Sequence, residues 1–323
     1  MEDFLKLTLS GEQPSQKSGE NQILLWEWIA EGIIQFTPRQ SYQKAIVLSA
    51  GIHGNETAPI EILNQICTDL ITGKLHLKEQ VLMILGHPEA MRQGVRYLNN
   101  DLNRMFCGGR VHLDEDQETQ RAFQLENTVS DFFSHQNHDV DFYHYDLHTA
   151  IRASLLPTFA LLPLKKVPYN TTLLESLNAA QLDAIVSHNC AGKTFTSYTS
   201  EQFNAQSCTL ELGKAQPFSH NHLEDFEATN IMLRALLSQT DLCPTENNKT
   251  KYFSVIENII KNNHSFKLNI PTNAPNFTSF SQGEILYSQD KQDYIVENEK
   301  IWILFPNPDV KVGLRAGLIL KES

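Results

Sequence analysis

The sequence predicts an α/β fold: a central mixed sheet flanked by helices, followed by a smaller C-terminal β-rich domain. Three observations carry this expectation. From residue 44 to about 240, short apolar runs alternate with helical patterns, which marks an α/β layer fold with a largely parallel or mixed sheet. From Tyr252 onward the pattern changes to short β-type runs separated by Pro, Asn and Gly turns. Between them Asp241 to Thr250 is polar, contains Pro244 and reads as a linker. The expected division is 1–240 and 241–323, which suits a prior of about two domains for a chain of 323 residues.

Taken in order, Lys44 to Ala50 is the first clear strand, a continuous apolar run. Thr57 to Leu70 follows as a helix with Ile60, Leu63, Cys67 and Leu70 on one face, and Pro59 is tolerated in its first turn. Val81 to Leu85 is a second buried strand, closed by Gly86-His87-Pro88. A second helix follows Asp114-Glu115-Asp116, whose charges suit its positive end, with Ala122, Leu125, Val129 and Phe132 along one stripe. Asp141 to Leu147 reads as a third strand and Cys208 to Leu212 as a late one. Leu223, Phe226, Leu233 and Leu237 then mark a helix running to about Ser238. Beyond the linker, Phe266 to Ile270 and Lys300 to Phe305 are strand-like.

Composition excludes several classes of function. The net charge is −12, from 26 Lys and Arg against 38 Asp and Glu. The basic residues are dispersed, without the stripe that a phosphate backbone requires, so nucleic acid is not expected as a partner. The longest apolar stretch, Leu155 to Leu164, is broken by Pro157 and Pro163 and falls short of the ~18 residues that span a bilayer. No membrane partner is expected. The stretch Met1 to Lys6 lacks a positive region and an apolar region, so it does not read as a secretory signal, and a cytoplasmic location is expected. Cys67, Cys107, Cys190, Cys208 and Cys243 form no Cys-x-x-Cys pair and read as reduced thiols.

The segment richest in chemistry is Gly51-Ile52-His53-Gly54-Asn55-Glu56, at the corner between the first strand and its helix. Such corners face the ligand crevice of open α/β sheets. His53 and Glu56 are three residues apart, so both can point at one ion, and an imidazole with a carboxylate suits Zn²⁺. The spacing alone equally fits a polar turn residue followed by a helix-terminal charge. A third ligand must come from elsewhere, and His148 is the best candidate because it shares a strand face with His144 and Asp146 and lies at the exit. Asp146 fits as an acceptor for a ligand imidazole, or as a turn-maker. His87, His135, His138, His220 and His222 read as solvated or structural.

Gly94-Val95-Arg96-Tyr97 and Asn100-Asp101-Leu102-Asn103-Arg104 lie between the ligand candidates. Arg offers a fork of donors matched to a carboxylate, and an adjacent Asn adds an amide donor, which implies an anionic substrate. An ordinary surface salt bridge is the competing interpretation. Glu211, at the end of the late strand, is a carboxylate not claimed as a ligand and suits a general base. A random strand-end Glu is more often simply exposed.

His53-x-x-Glu56, Asn103-Arg104, His148 and a late Glu211 resemble, in that order, the zinc carboxypeptidases. The fuller strings Gly-Ile-His-Gly-Asn-Glu, Val-Arg-Tyr followed by Asp-Leu-Asn-Arg, and Asp-Leu-His-Thr resemble the succinylglutamate desuccinylase and aspartoacylase family. Leu210 to Lys214 through Pro217-Phe218, and Phe305 to Pro308 leading to Gly313 to Leu318, are closest to the desuccinylase side of it. The resemblance covers nearly the whole chain. It implies a zinc carboxypeptidase-like catalytic domain and a small β domain narrowing the entrance. It also implies one zinc ion per chain on His53, Glu56 and His148, with Glu211 as base. Arg96 would then stabilise an oxyanion, and Asn103 with Arg104 would hold a substrate carboxylate. The implied substrate is a small molecule with several carboxylates, N-succinyl-L-glutamate, cleaved to succinate and L-glutamate at the last step of the arginine succinyltransferase route of arginine catabolism. Two other readings stay open: an aspartoacylase-like deacylase or zinc carboxypeptidase, and a non-catalytic zinc-dependent carboxylate-binding module. A homo-oligomer is also left open.

Overall fold

A computed structural model describes residues 3–242, 249–271, 273–297 and 299–323. Cys243 and most of the expected linker, like Met1 and Glu2, lie outside the described residues. In chain order the elements are α1 Phe4–Ser10, β1 Ser18–Glu20, β2 Leu24–Ala30, β3 Ile33–Pro38, β4 Lys44–Ala50, α2 Thr57–Ile71 and β5 Gln80–Leu85. Next come α3 Pro88–Gln93, α4 Gln117–Ser134, β6 Asp141–Ala150, β7 Thr158–Leu162, α5 Thr171–Ala179, β8 Ala184–Ser187, α6 Phe195–Phe203, β9 Gln206–Lys214 and α7 Glu227–Ser238. The C-terminal part adds β10 Lys251–Ile260, β11 Lys267–Leu268, β12 Thr278–Ser281, β13 Ile285–Gln289, β14 Gln292–Ile295, β15 Lys300–Leu304 and β16 Arg315–Glu322.

Among the described residues, thirteen strands form one sheet in the order β1-β2-β3-β5-β4-β6-β9-β7-β8-β10-β16-β15-β12, and β11-β13-β14 form a second, small sheet. The core of the large sheet is parallel: β4 pairs with β5 and β6, and β6 pairs with β9, all in the same direction. β4 and β5 are apolar almost throughout, and all four strands are largely buried, because helices cover both faces. Ile46, Leu48 and Ala50 pack with α2, α5 and α7 on one side, whereas Ala45 and Val47 pack with α4 and α6 on the other. The expected α2 stripe is buried, joined by Ile62 and Ile66. At about 1.5–3 kcal/mol per fully buried Leu or Ile, that face holds the helix far more strongly than its intrinsic propensity does. On α4, Asp116 is the cap, accepting from Thr119 N in a reciprocal capping box.

The β-rich C-terminal part joins the main sheet. β10 lies parallel beside β8 and extends the main sheet, and Phe159 and Val186 share a core with Phe253, Phe277 and Leu318. A further core, around Ile259, Phe266, Leu286 and Ile301, belongs to the C-terminal part alone.

Four expectations need correction. The sheet starts well before residue 44, because β2 alternates buried and exposed along Leu24, Trp26 and Trp28 and pairs with β3. β6 continues to Ala150, so His148 lies within the strand, and β9 likewise runs three residues past Glu211. In both cases the neighbouring strand keeps supplying backbone partners beyond the expected end. The last helix of the catalytic part starts at Glu227: Leu223–Phe226 is a 3-10 turn, and Phe226, at φ −111 and ψ 14, breaks the register.

Candidate metal centre and active site

The chain goes from β4 through α2 to β5 on one side of β4, then returns to β6 on the other. Crevices form where the strand order reverses in this way, at the carboxyl ends of the strands. Gly51, at φ +68, turns the chain out of β4, a conformation costly for any residue with a side chain. A Cβ on Gly54 would fall 2.2 Å from the Ala90 carbonyl carbon, so only glycine lets this corner pack on α3. His53 and Glu56 are thereby presented beside β6, whose Leu147 is in register with Ala50. On the next strand Glu211 is directly opposite His148.

His53, Glu56 and His148 are all buried, and their ligating atoms lie within 4.8 Å of one another. His53 Nδ1 is 2.9 Å from Glu56 Oε1, His148 Nδ1 is 2.9 Å from Glu56 Oε2, and the two Nδ1 atoms are 3.2 Å apart. The outer nitrogens explain this. His53 Nε2 is 2.9 Å from Asp101 Oδ1 and His148 Nε2 is 2.9 Å from Asp146 Oδ2. Ionised carboxylates only accept, so each Nε2 carries a proton, and a metal ion bound at the centre would take the inward lone pair of each Nδ1. A buried carboxylate facing two imidazole nitrogens favours a positive charge among them. Two nitrogens about 2.0–2.1 Å from a tetrahedral zinc would be separated by roughly 3.3 Å. The residues therefore fit a zinc ion. Glu56 occupies the N-cap of α2 without capping it, because its carboxylate faces this point instead and accepts from Thr149 N at 3.0 Å.

The electrostatics agree. Burial alone would raise the Glu56 carboxyl, but His53 and His148 hold it well below the usual range. Burial would likewise lower His148, yet Asp146 and Glu56 push it well above an ordinary imidazole. The pocket thus favours positive charge at its centre. Asp146 is held in turn by Ser49, whose Oγ donates to Oδ1 at 2.6 Å and lies 2.8 Å from His144 Nε2.

Glu211 is buried and its Oε2 has no hydrogen-bond partner among the described residues. Burial lifts its carboxyl to about 7, with Glu56 adding to the effect against His148, Arg96 and His53. Arg96 reaches the centre directly: Nη1 donates to Glu56 Oε1 at 2.7 Å, and Nη2 lies 3.9 Å from Asp101 Oδ2. Its loop is pinned by Gly54 N donating to Arg96 O, and by Leu98 N and Asn99 N donating to Glu118. Asn103 and Arg104 sit in the 3-10 turn Leu102–Arg104, with Asp101 between them and the metal centre. Asn103 Oδ1 accepts from Phe195 N at 3.0 Å, which turns its amide group into a fixed donor. Arg104 is exposed and donates to Asn103 O at 2.8 Å.

Sequence reasoning placed seven residues, and the fold brings His53, Glu56, His148, Glu211 and Arg96 into one cluster with Asn103 and Arg104 at its border. It missed Asp101, although that residue opens the Asp-Leu-Asn-Arg string; an acid beside the expected substrate-binding pair was the available signal. Two of the histidines expected to be solvated or structural are so. His87 accepts from Ala90 N to cap α3 and meets Glu118, and His222 is exposed beside Glu224.

Residues 42–237 match the succinylglutamate desuccinylase/aspartoacylase catalytic domain, and residues 248–323 match the AstE/AspA barrel-sandwich hybrid domain. A succinylglutamate desuccinylase of Yersinia pestis is 48% identical over 320 residues, covering 99% of this chain and 97% of that protein. One from Serratia proteamaculans is 47% identical over 323 residues, covering 100% and 98%. The crystal structure of a succinylglutamate desuccinylase from Vibrio parahaemolyticus superposes with a TM-score of 0.94 at 29% identity, covering 99% of this chain and 95% of that one. Murine aminoacylase 3 shares the fold, with a TM-score of 0.59 at 15% identity, over 88% of this chain and 97% of its own. With its two parts matched in sequence and its architecture matched along nearly its whole length, the chain belongs to the succinylglutamate desuccinylase/aspartoacylase family.

Proposed function

We propose that this chain is a zinc-dependent hydrolase that cleaves N-succinyl-L-glutamate to succinate and L-glutamate. The observation that carries the reading is the buried convergence of His53, Glu56 and His148 beside an unpartnered Glu211. The relatives at 47–48% identity named for this reaction support the choice of substrate. Bound at that point, a zinc ion supplies Lewis-acid polarisation of an amide carbonyl and makes water a nucleophile near neutral pH.

The chain's own residues do the rest. Glu211 takes a proton from the attacking water and returns it to the departing amine; its raised pKa, to about 7, suits both transfers. Arg96 meets the charge that develops on the carbonyl oxygen. Asn103 and Arg104 hold a substrate carboxylate and so orient the amide. Asp101 and Asp146 fix the ligand imidazoles.

We place the division of the chain at 240/241, with the matched segments 42–237 and 248–323 on either side. No helix among the described residues is long and apolar enough to cross a membrane. We place its role in the cytoplasm, at the end of the arginine succinyltransferase route that yields this substrate. The test is a comparison of kcat/KM for N-succinyl-L-glutamate and N-acetyl-L-aspartate: the first should exceed the second by at least about 10²-fold, since a site built for a charged group rejects the compound lacking it. Equal or reversed values would move the chain to the aspartoacylase side of the family. Zinc-dependent binding without turnover would make it a carboxylate-binding module.

A further inference from the structure

The zinc ligands, Glu211 and the Asn103-Arg104 pair leave part of a tricarboxylate substrate without a partner. Beside Arg104 the fold assembles two more nitrogen-bearing side chains from distant segments. One is His188, just past the end of β8; the other is Arg315, the first residue of β16. Three sets of contacts place them. Phe195 N donates to Asn103 Oδ1 at 3.0 Å, which ties the segment after β8 to the turn that carries Arg104. Asn258 Nδ2 donates to Cys190 Sγ at 3.3 Å and Asn189 Nδ2 to Ile256 O at 3.3 Å, which ties the same segment to β10. On β10, Ile260 is paired with Arg315.

The result is a cluster of like charge. The groups acting on Arg315 are the Arg104 guanidinium and the Cys190 thiol, and those acting on His188 are Arg315 and Arg104. Among the described residues no carboxylate forms a salt bridge with Arg315 or Arg104; Asp101 acts on Arg104 from farther away, and no carboxylate is among the groups acting on Arg315. Burial, with Arg104 nearby, lowers Arg315 to about 10; burial, with both arginines nearby, lowers His188 to about 4. A buried guanidinium without a salt-bridge partner, set beside a second one, costs stability unless an anion joins them. In a chain of net charge −12 such a concentration of positive charge is not a matter of composition.

Resting on the desuccinylase reading, we propose that Arg315, contributed by the C-terminal β-rich part and assisted by His188, binds a second substrate carboxylate beside the one held by Asn103 and Arg104. The C-terminal part then takes part in choosing the substrate. Arg315 is a specificity determinant: it touches a carboxylate remote from the amide, and its guanidinium offers a bidentate fork that a lysine cannot reproduce.

The experiment crosses residue with carboxylate. Wild type and Arg315→Ala are compared on N-succinyl-L-glutamate and on three analogues that each lack one carboxylate: N-acetyl-L-glutamate, N-succinyl-L-glutamine and N-succinyl-γ-aminobutyrate. Analogues that turn over slowly are measured as competitive inhibitors. On the parent substrate kcat/KM should fall about 10- to 10²-fold, chiefly through KM. On the one analogue that lacks the carboxylate held by Arg315, the penalty should shrink to about twofold or less. An equal penalty on all four compounds would overturn the proposal, because a merely structural role affects them alike. If Arg315→Ala loses zinc or melts early, Arg315→Lys carries the same comparison, with a smaller differential expected and a uniform penalty again fatal. A wild-type protein that fails to hydrolyse N-succinyl-L-glutamate sinks the functional reading itself, a result that does not depend on either variant.

Discussion

Around His53, Glu56 and His148 the buried charges are paired with opposite ones within 3 Å, with Arg96, Asp101 and Asp146 completing the set. Around Arg104 and Arg315 the charges are alike, and among the described residues no carboxylate forms a salt bridge with either, Asp101 acting on Arg104 only from farther away. The first region is assembled to keep its geometry before any ligand arrives, since each donor is already held by a second group. The second is assembled with a deficit that an anionic ligand removes. In one enzyme, then, preorganised chemistry and charge-driven recognition occupy adjacent regions built on different electrostatic plans, joined by the Asp101 to Arg104 turn.

The comparison breaks most completely at the ligands. His53→Ala with His148→Ala should remove bound zinc and reduce activity to the uncatalysed background; metal analysis after dialysis, beside an activity assay, measures both. Full zinc occupancy in that variant would refute the ligand assignment. Next comes Glu211→Gln, which should retain zinc and KM but lose about 10²- to 10⁴-fold in kcat. The pH profile belongs to the same test. Glu211 must be ionised to act, so kcat/KM should rise with pH along an acid limb no higher than about 7, the value to which burial lifts this carboxyl, because a cation on the triad pulls it down. A profile without that limb in the wild type, or one unchanged in the variant, argues against the base.

The two arginines near the boundary sharpen the contrast. Arg96→Ala should lower kcat by about 10²- to 10³-fold, because it meets charge that appears only in the transition state. Arg104→Ala should chiefly raise KM, by about 10- to 10²-fold, because a remote carboxylate is gripped equally throughout. Steady-state kinetics with the opposite split would exchange their roles. An effect of similar size, on metal affinity, is expected at Asp101→Asn, which keeps the shape but loses the charge behind His53 and should weaken zinc binding about 10- to 10²-fold. Titration with a competing chelator reads it, and unchanged affinity would leave Asp101 as a turn-former only.

Much of the catalytic region was legible because its signals are local. Gly51 to Glu56 announces a corner between a buried strand and a helix, and His53 with Glu56 needs only three residues of spacing to aim at one point. Asp146 and His148 share a strand face by the period of the backbone. The strands β1 to β3 were not included in the expected sheet, although Leu24, Trp26 and Trp28 alternate along β2 as a half-buried strand should. Their role depends on β3 finding β5, a pairing between residues about fifty apart. The 3-10 turn before α7 was hidden because Leu223 and Phe226 carry the same apolar spacing as a helix, and only the backbone at Phe226 separates the two.

By itself the sequence determined the donors: which side chains have the chemistry of ligands, base and anion grips, and which local element carries each. Local spacing could fix these because strand and helix periods act over a few residues. The tertiary structure alone decided how the donors are protonated and what opposes them. Asp101 comes to His53 across 48 positions and so holds a proton on its Nε2. His188 and Arg315 come to Arg104 from β8 and β16 because β10 joins the C-terminal strands to the main sheet. No spacing rule reaches that far, since the encounter is fixed by strand order and packing, and the charge on a group is set by the neighbours that the fold supplies.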